Sequence, residues 1–272
     1  MEAIISVVVP CFNQEQFLEE ALSSVQNQTY KQWECVIVDD GSTDGSASIA
    51  AEFIKKDSRF SYFRKINGGP SSAKNLGISK STGKYVFPFD GDDILDLNYF
   101  ENAVRILECN SQVEVVHCNV MQFGNITGPL VLEEYSFEKL LIKNCIIGCA
   151  FFRRATFNLT NGFCEDMWAL EDWDIWLSIL KQGGEVYKFN DFYYNYRRHA
   201  QGSLVNKFSS DAALYQKNLN RLYKNHADVF MQHHGNPITL YRQLMALTQF
   251  RDKMLGNPFY KLFKSVASVI KK

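Results

Sequence analysis

Three apolar runs in the first third of the chain each break off into polar residues, and this repeated break constrains the fold more than any other feature. Residues 4–9 (IISVVV) stop at Pro10, residues 34–38 (ECVIV) stop at Asp39 and Asp40, and residues 85–89 (YVFPF) stop at Asp90, Asp92 and Asp93. Short apolar runs bounded by turn residues read as strands buried on both faces. Between the first two, Phe17, Leu18, Ala21, Leu22 and Val25 recur at helical spacing, which predicts a helix over 15–28 capped by Asn13. A helix over 46–56, a strand over 60–64 and a short helix over 72–79 continue the alternation. Strand and helix alternating at this pitch imply right-handed βαβ units and a parallel sheet. In such sheets ligands bind beyond the carboxyl ends of the strands, so the three polar turns are expected to converge on one rim.

Asp90, Asp92 and Asp93 repel one another if packed together and ionised, so a positive charge belongs among them. A hard divalent cation, Mn2+ or Mg2+, meets that need, because one or two carboxylates hold it while phosphates and waters complete the shell. The acidic turn therefore reads as a place for a diphosphate. A simpler use for Asp92 or Asp93 is to cap a helix over residues 94–107.

Lys plus Arg number 29 and Asp plus Glu 30 in 272 residues, so no overall basic field points to nucleic acid. The 7 cysteines are odd in number and scattered, several inside apolar runs, which predicts buried free thiols. With no signal-peptide pattern and no run of about 20 apolar residues, a cytoplasmic protein is expected, free or peripheral to the inner face of the membrane.

Beyond residue 110 the pattern predicts strands over 113–121 and 149–153, helices over 135–143 and 171–181, and short strands over 185–189 and 192–196. From residue 208 it is helical, in runs over 211–230, 237–255 and 259–272. The expected organisation is an α/β domain over 1–205, with a nucleotide-binding half over 1–110 and an acceptor-binding half over 111–205, followed by a helical extension over 206–272. Its last run sets Tyr260, Phe263, Val266 and Ile270 against Lys261, Lys264, Lys271 and Lys272. That basic amphipathic segment suits an anionic membrane surface, the domain itself, or a second copy of the chain.

Five blocks carry a resemblance: VVVPCFNQEQFLEEALSSVQNQTY, VIVDDGSTDGS, NGGPSSAKNLGIS, GKYVFPFDGDD and ALEDWDIWLSIL. In that order they are similar to the glycosyltransferases of family 2, the inverting GT-A type, over about residues 4–200. The resemblance implies a Rossmann-like mixed sheet, mainly parallel, with helices on both faces. It implies a metal-assisted hexosyltransferase that moves a sugar from a nucleoside diphosphate to a hydroxyl of a glycan or lipid-linked acceptor, in polysaccharide biosynthesis.

By the same resemblance, Pro10, Phe12, Asn13, Asp39 and Asp40 bracket the nucleotide base, and Asp40 can accept from an imide N–H, which favours a UDP-linked donor. Asp39 and Asp40 have the alternative task of starting the next helix. Gly69 and Lys74 lie near the diphosphate; Lys74 stands where the family usually has arginine, keeping the charge but losing the bidentate fork. The alternative for Lys74 is a solvated lysine on a short helix. Asp90, Gly91 and Asp92 form the D-x-D pattern, in which one aspartate reaches the ribose and another the metal, in an order left open. Asp92, Asp93 and His199 are the candidate ligands, and Arg198-His199 resembles a basic stretch that closes over the diphosphate.

Asp172 is the implied general base, with Trp168, Glu171 and Trp173 toward the acceptor and Phe163 beside them. The acidic first turn of a core helix is the other reading of Glu171-Asp172. A sugar nucleotidyltransferase would be expected to carry a Gly-rich phosphate loop after the first strand, and a dinucleotide oxidoreductase G-x-G-x-x-G; neither is present. A catalytically silent nucleotide- or glycan-binding protein on the same fold is the alternative of a different class.

Overall fold

The structure, a computed structural model, describes residues 4–199 and 211–257. Its sheet begins with β1 (Ile5–Cys11), β2 (Trp33–Asp39), β3 (Phe60–Arg64) and β4 (Tyr85–Pro88), joined by α1 (Leu18–Gln26), α2 (Ser46–Lys56) and α3 (Pro70–Ser79). After β4 come β5 (Ile94–Leu95), α4 (Tyr99–Cys109), β6 (Val113–Gly124), β7 (Gly128–Leu130), α5 (Phe137–Leu140), β8 (Phe151–Arg153), α6 (Arg154–Phe157), α7 (Glu171–Leu180) and β9 (Glu185–Arg198). Among the described residues these form one sheet in the order β3-β2-β1-β4-β8-β6-β9-β5, with β7 paired to β6.

Strands β3, β2, β1 and β4 are parallel, as the alternation predicts. Strand β8 is antiparallel to both β4 and β6, and β9 runs parallel to β6. The carboxyl end of β9 therefore lies on the same edge as those of β1, β2 and β4. This is how His199, over a hundred residues from Asp92, reaches the acidic rim.

Side-chain alternation sorts the two faces. Ile5, Val7 and Val9 of β1 and Tyr85, Phe87 and Phe89 join the larger core, with Leu18, Leu22 and Val25 of α1 and Phe100 of α4. Phe87 stacks on Phe151 at 4.3 Å between ring centroids. Val36 and Val38 of β2 face Ala73 of α3 in a second cluster on the opposite side.

Several boundaries depart from expectation. Asn13 does not cap α1: it has φ 53°, and its Oδ1 accepts from Thr43 N–H at 2.9 Å, while Phe17 holds the cap position. The helix predicted from residue 94 starts at Tyr99, because Ile94 and Leu95 pair with β9; Asp92 and Asp93 cap nothing. The helix expected over 135–143 is confined to Phe137–Leu140. The two short strands after residue 185 are one strand, with a register shift opposite Cys118 and Val120. The cysteines are all free, and Cys11, Cys35, Cys118, Cys145 and Cys149 are buried, whereas Cys109 is exposed.

By internal contacts the chain divides into two compact units, Met1–Asn225 and His226–Lys272. The first includes α8 (Ala212–Asn225); the second contains α9 (Ala227–His234) and α10 (Pro237–Gly256). The basic segment over 259–272 lies outside the described residues. Among the described residues no helix is long and apolar enough to cross a membrane.

Helix α3 positions part of the rim, and Gly77 sets how closely it approaches the sheet. A methyl group there would collide with Val8 Cγ1 and lie 3.1 Å from Val38 Cγ2. Gly77→Ala is therefore expected to lower stability by about 1–3 kcal/mol, although alanine is the better helix former. Urea denaturation checks this, and an unchanged or raised midpoint would contradict it.

Candidate functional site

The β2 end builds a preorganised turn. Asp39 is fully buried, its Oδ1 accepting from Ser42 N–H at 2.7 Å and its Oδ2 from the Tyr62 hydroxyl at 2.5 Å. Those hydrogen bonds, with Arg64 nearby, outweigh burial and hold its carboxyl below the usual range. Both Asp39 oxygens thus face protein donors, and its work is to shape the turn. Asp40 accepts from Gly68 N–H and Lys65 Nζ on Oδ1, and from Gly69 N–H on Oδ2, at 2.8–2.9 Å. Oδ2, with one donor, retains a further acceptor direction. Gly69, at φ 88°, adopts the left-handed backbone that lets the loop turn into α3. Phe12 is half exposed, Pro10 does not stop β1 as expected but pairs with Val38 inside a ladder that runs on to Cys11 opposite Asp39, and Asn13 ties the first turn to the second.

The β4 end separates its acids by task. Asp93 is fully buried, with Oδ1 accepting from Arg197 N–H at 2.6 Å and Oδ2 from the Tyr194 hydroxyl. Burial, with Asp92 and Asp90 nearby, pushes its carboxyl well above the ordinary value. The expectation that Asp93 ligates a metal meets a carboxylate already engaged on both oxygens with β9. Asp92 instead faces His199, Oδ2 to Nε2 at 2.7 Å, and the imidazole packs against Phe17 at 4.9 Å. Arg197, rather than its neighbour Arg198, donates from Nε to the Asp92 carbonyl at 2.7 Å, and it packs over Phe17 and Phe123. Gly91 gives the turn room beside Gln14 and Leu18, where a side chain would clash.

Lys74 links these acids to the second half of the domain. It is only 5% exposed, and its Nζ lies 3.1 Å from Glu171 Oε1, so it is no solvated lysine. Burial opposes its charge, but Glu171, Asp90 and Asp172 outweigh burial and raise its pKa. Asp172, partly exposed at the start of α7, has its carboxyl pushed up to about 6 by burial and by the Glu171 charge, with Lys74 opposing. Its Oδ2 accepts from Asn144 Nδ2 at 2.9 Å, and Gly148 lies directly beside it. No sequence signal marked Asn144, whose role follows from packing across 28 positions.

The aromatic residues divide. Trp173 is buried, its Nε1 donating to the Leu140 carbonyl, so it belongs to the core and cannot line an acceptor face as expected. Phe163 is also buried, with its ring 5.2 Å from Lys74 Nζ. Trp168 is 44% exposed, and a methyl group on Gly69 would lie 3.5 Å from its indole. Asp40, Gly69, Trp168, Lys74, Asp90, Glu171, Asp172, Asp92 and His199 are thus linked around one edge.

Among the described residues no three His, Cys, Asp or Glu side chains are grouped to hold a metal unaided. Asp92 and His199 supply two donors, which fits a cation that takes its remaining ligands from a diphosphate and water. An imidazole beside a carboxylate suits Mn2+ better than Mg2+.

A sequence model described as "Glycosyl transferase family 2" matches residues 6–159, more than half of the chain. The chain belongs to glycosyl transferase family 2. The matched span holds the Asp40 turn, Lys74 and the D-x-D; Glu171, Asp172 and His199 lie beyond it.

Similar family members include the uncharacterized glycosyltransferase EpsJ of Bacillus subtilis, 29% identical over 73% of this chain and 62% of its own length. Another is UDP-Glc:alpha-D-GlcNAc-diphosphoundecaprenol beta-1,3-glucosyltransferase WfgD of Escherichia coli, 30% identical over 65% of this chain and 70% of its own. The matches span between 16% and 62% of the length of five other curated relatives, EpsJ among them.

The fold is that of GT-A glycosyltransferases. It resembles S. aureus TarS 1-349 in complex with UDP-GlcNAc, with a TM-score of 0.65 and 19% identity over 86% of this chain and 76% of that one. The Pyrobaculum calidifontis mannosyltransferase PcManGT, in complex with GDP-Man and Mn2+, gives a TM-score of 0.62 and 19% identity over 99% and 81%.

In this family 2 chain, Lys74→Met removes the buried cation, leaves Glu171, Asp90 and Asp172 without their counter-charge and is expected to cost about 3–5 kcal/mol, whereas Lys74→Arg retains the charge. Equilibrium unfolding at neutral pH checks this; equal losses in both variants would deny the charge its part.

Proposed function

We propose that this chain is an inverting glycosyltransferase, moving a sugar from a nucleoside-diphosphate donor, UDP-linked by preference, to a hydroxyl of a glycan or lipid-linked acceptor. One observation carries the reading: the buried Lys74 ammonium touches Glu171 and lies in the field of Asp90 and Asp172. A cation fixed where both halves meet can stabilise charge that develops on a departing diphosphate. The E. coli relative, named for transfer from UDP-Glc to a diphosphoundecaprenol-linked sugar, supports a UDP donor and a lipid-linked acceptor.

Asp172 acts as the base. Asn144 donates to its Oδ2 and Trp173 N–H to its Oδ1, which fixes the plane of the carboxylate. It takes the proton of the acceptor hydroxyl as that oxygen bonds to the anomeric carbon. The bond from that carbon to the diphosphate breaks, the nucleoside diphosphate leaves with the electron pair, and one displacement inverts the centre. Asp92 and His199 would hold Mn2+ or Mg2+, and such an ion, when bound, offsets the charge of the diphosphate. Asp40 holds the Gly68–Gly69 turn and offers Oδ2 to the base.

Asp172→Asn is expected to lower turnover of a UDP-sugar with Mn2+ by about a hundredfold or more while UDP still binds. A base works deprotonated, so the parent's rate should fall as pH drops through about 6, and turnover surviving in the variant would remove Asp172 from this role. Tight nucleotide binding by the parent without turnover of any nucleotide sugar would point instead to the silent binding protein.

For stability the same shift has the opposite consequence. A carboxyl raised from 3.8 to about 6 on folding favours the native state below the lower value, and that contribution is lost as pH rises through the higher one. Asp172→Asn is therefore expected to melt above the parent at pH about 8 and to lose this advantage toward pH about 4. Calorimetric melting of both proteins across this range gives the comparison.

A further inference from the structure

The segment between Phe163 and Glu171 has no strand or helix of its own, yet it carries Trp168 and delivers Glu171 and Asp172. Side chains from two helices hold it. From α3, Asn75 Nδ2 donates to the Phe163 carbonyl and its Oδ1 accepts from Phe163 N–H, both at 2.9 Å, while Ser71 Oγ donates to the Met167 carbonyl. From α8, Asn218 Oδ1 accepts from Trp168 N–H at 3.2 Å, and Arg221 pairs with Asp166 at 2.7 Å. One turn further, Asn225 Nδ2 donates to Asp174 Oδ1 of α7 at 2.9 Å.

Asn218 is the pivot of the α8 side. It is 3% exposed, and its Nδ2 is anchored on the Leu214 carbonyl of its own helix at 2.8 Å, so its Oδ1 is aimed at Trp168. The indole this bond positions lies over Gly69, whose N–H holds Asp40. Helix α8 lies beyond the residues matched by the family model.

We propose that Asn218 is a positioning residue: by holding the Trp168 backbone it keeps the indole over the Gly68–Gly69 turn, so that α8 couples the acceptor-side segment to the donor turn. The coupling rests on the donor reading above, whereas the positioning does not. Removing Asn218 leaves the Trp168 N–H without its acceptor and lets the segment lift, which exposes the indole.

Tryptophan emission of the full chain tests this, because Trp33, Trp173 and Trp176 are buried and Trp168 is the half-exposed indole. Without ligand, acrylamide quenching is expected to rise about twofold in Asn218→Ala, as a 44% exposed indole becomes free. Equal quenching in the parent and Asn218→Ala overturns the positioning. With UDP and Mn2+ added, quenching is expected to fall in the parent and not in Asn218→Ala; equal protection overturns the coupling. A parent that ignores UDP and GDP alike counts against the donor reading, and the ligand-free comparison still judges the positioning. Should Asn218→Ala fail to fold, hydrogen exchange in the parent decides: the Trp168 amide must exchange more slowly than an unprotected loop amide, and free exchange overturns the proposal.

Discussion

The site depends on one buried ion pair. Lys74 has almost no contact with water, so its charge survives only because Glu171 touches it and Asp90 and Asp172 stand near. At an effective dielectric of about 20, a unit pair about 4 Å apart gains roughly 4 kcal/mol, of the same order as the effective cost of burying an ion. Such a pair adds little net stability and much geometry. It ties α3 to α7, whose second residue is the proposed base, and any shift between them leaves a buried charge uncompensated.

The remaining acids fall into place around that pair by what they are given to bind. Asp39 and Asp93 are satisfied from within the protein, by Tyr62 and Ser42 in one case and by Tyr194 and Arg197 in the other. They stiffen the turns at the ends of β2 and β4. Their neighbours are held differently: Asp40 is also buried, gripped by Lys65, Gly68 and Gly69, whereas Asp92 pairs with His199.

Much of this was legible from residue patterns. The β-branched and aromatic runs ending in acids marked β1, β2 and β4, and the strand–helix alternation placed their ends on one edge, as the parallel registers bear out. Lys74 was recognisable as a charge near the acids but not as a buried one, because burial depends on Phe163 and Glu171, 89 and 97 positions away. The resemblance set Trp173 toward the acceptor, beside Asp172, but the helix turns it toward Leu140. Asn13 had the right chemistry for a cap, yet its side chain is taken by Thr43 in the neighbouring turn.

What the amino-acid order determined by itself is the set of strands and the rim on which their ends meet, because apolar periodicity and the handedness of βαβ connections are local rules with few solutions. Which partners hold each carboxylate was decided only in three dimensions. Asp39 finds Tyr62 across 23 positions and Asp93 finds Arg197 across 104, and a hydrogen bond is directional and short-ranged, so neither partner can be read from the neighbours in the chain.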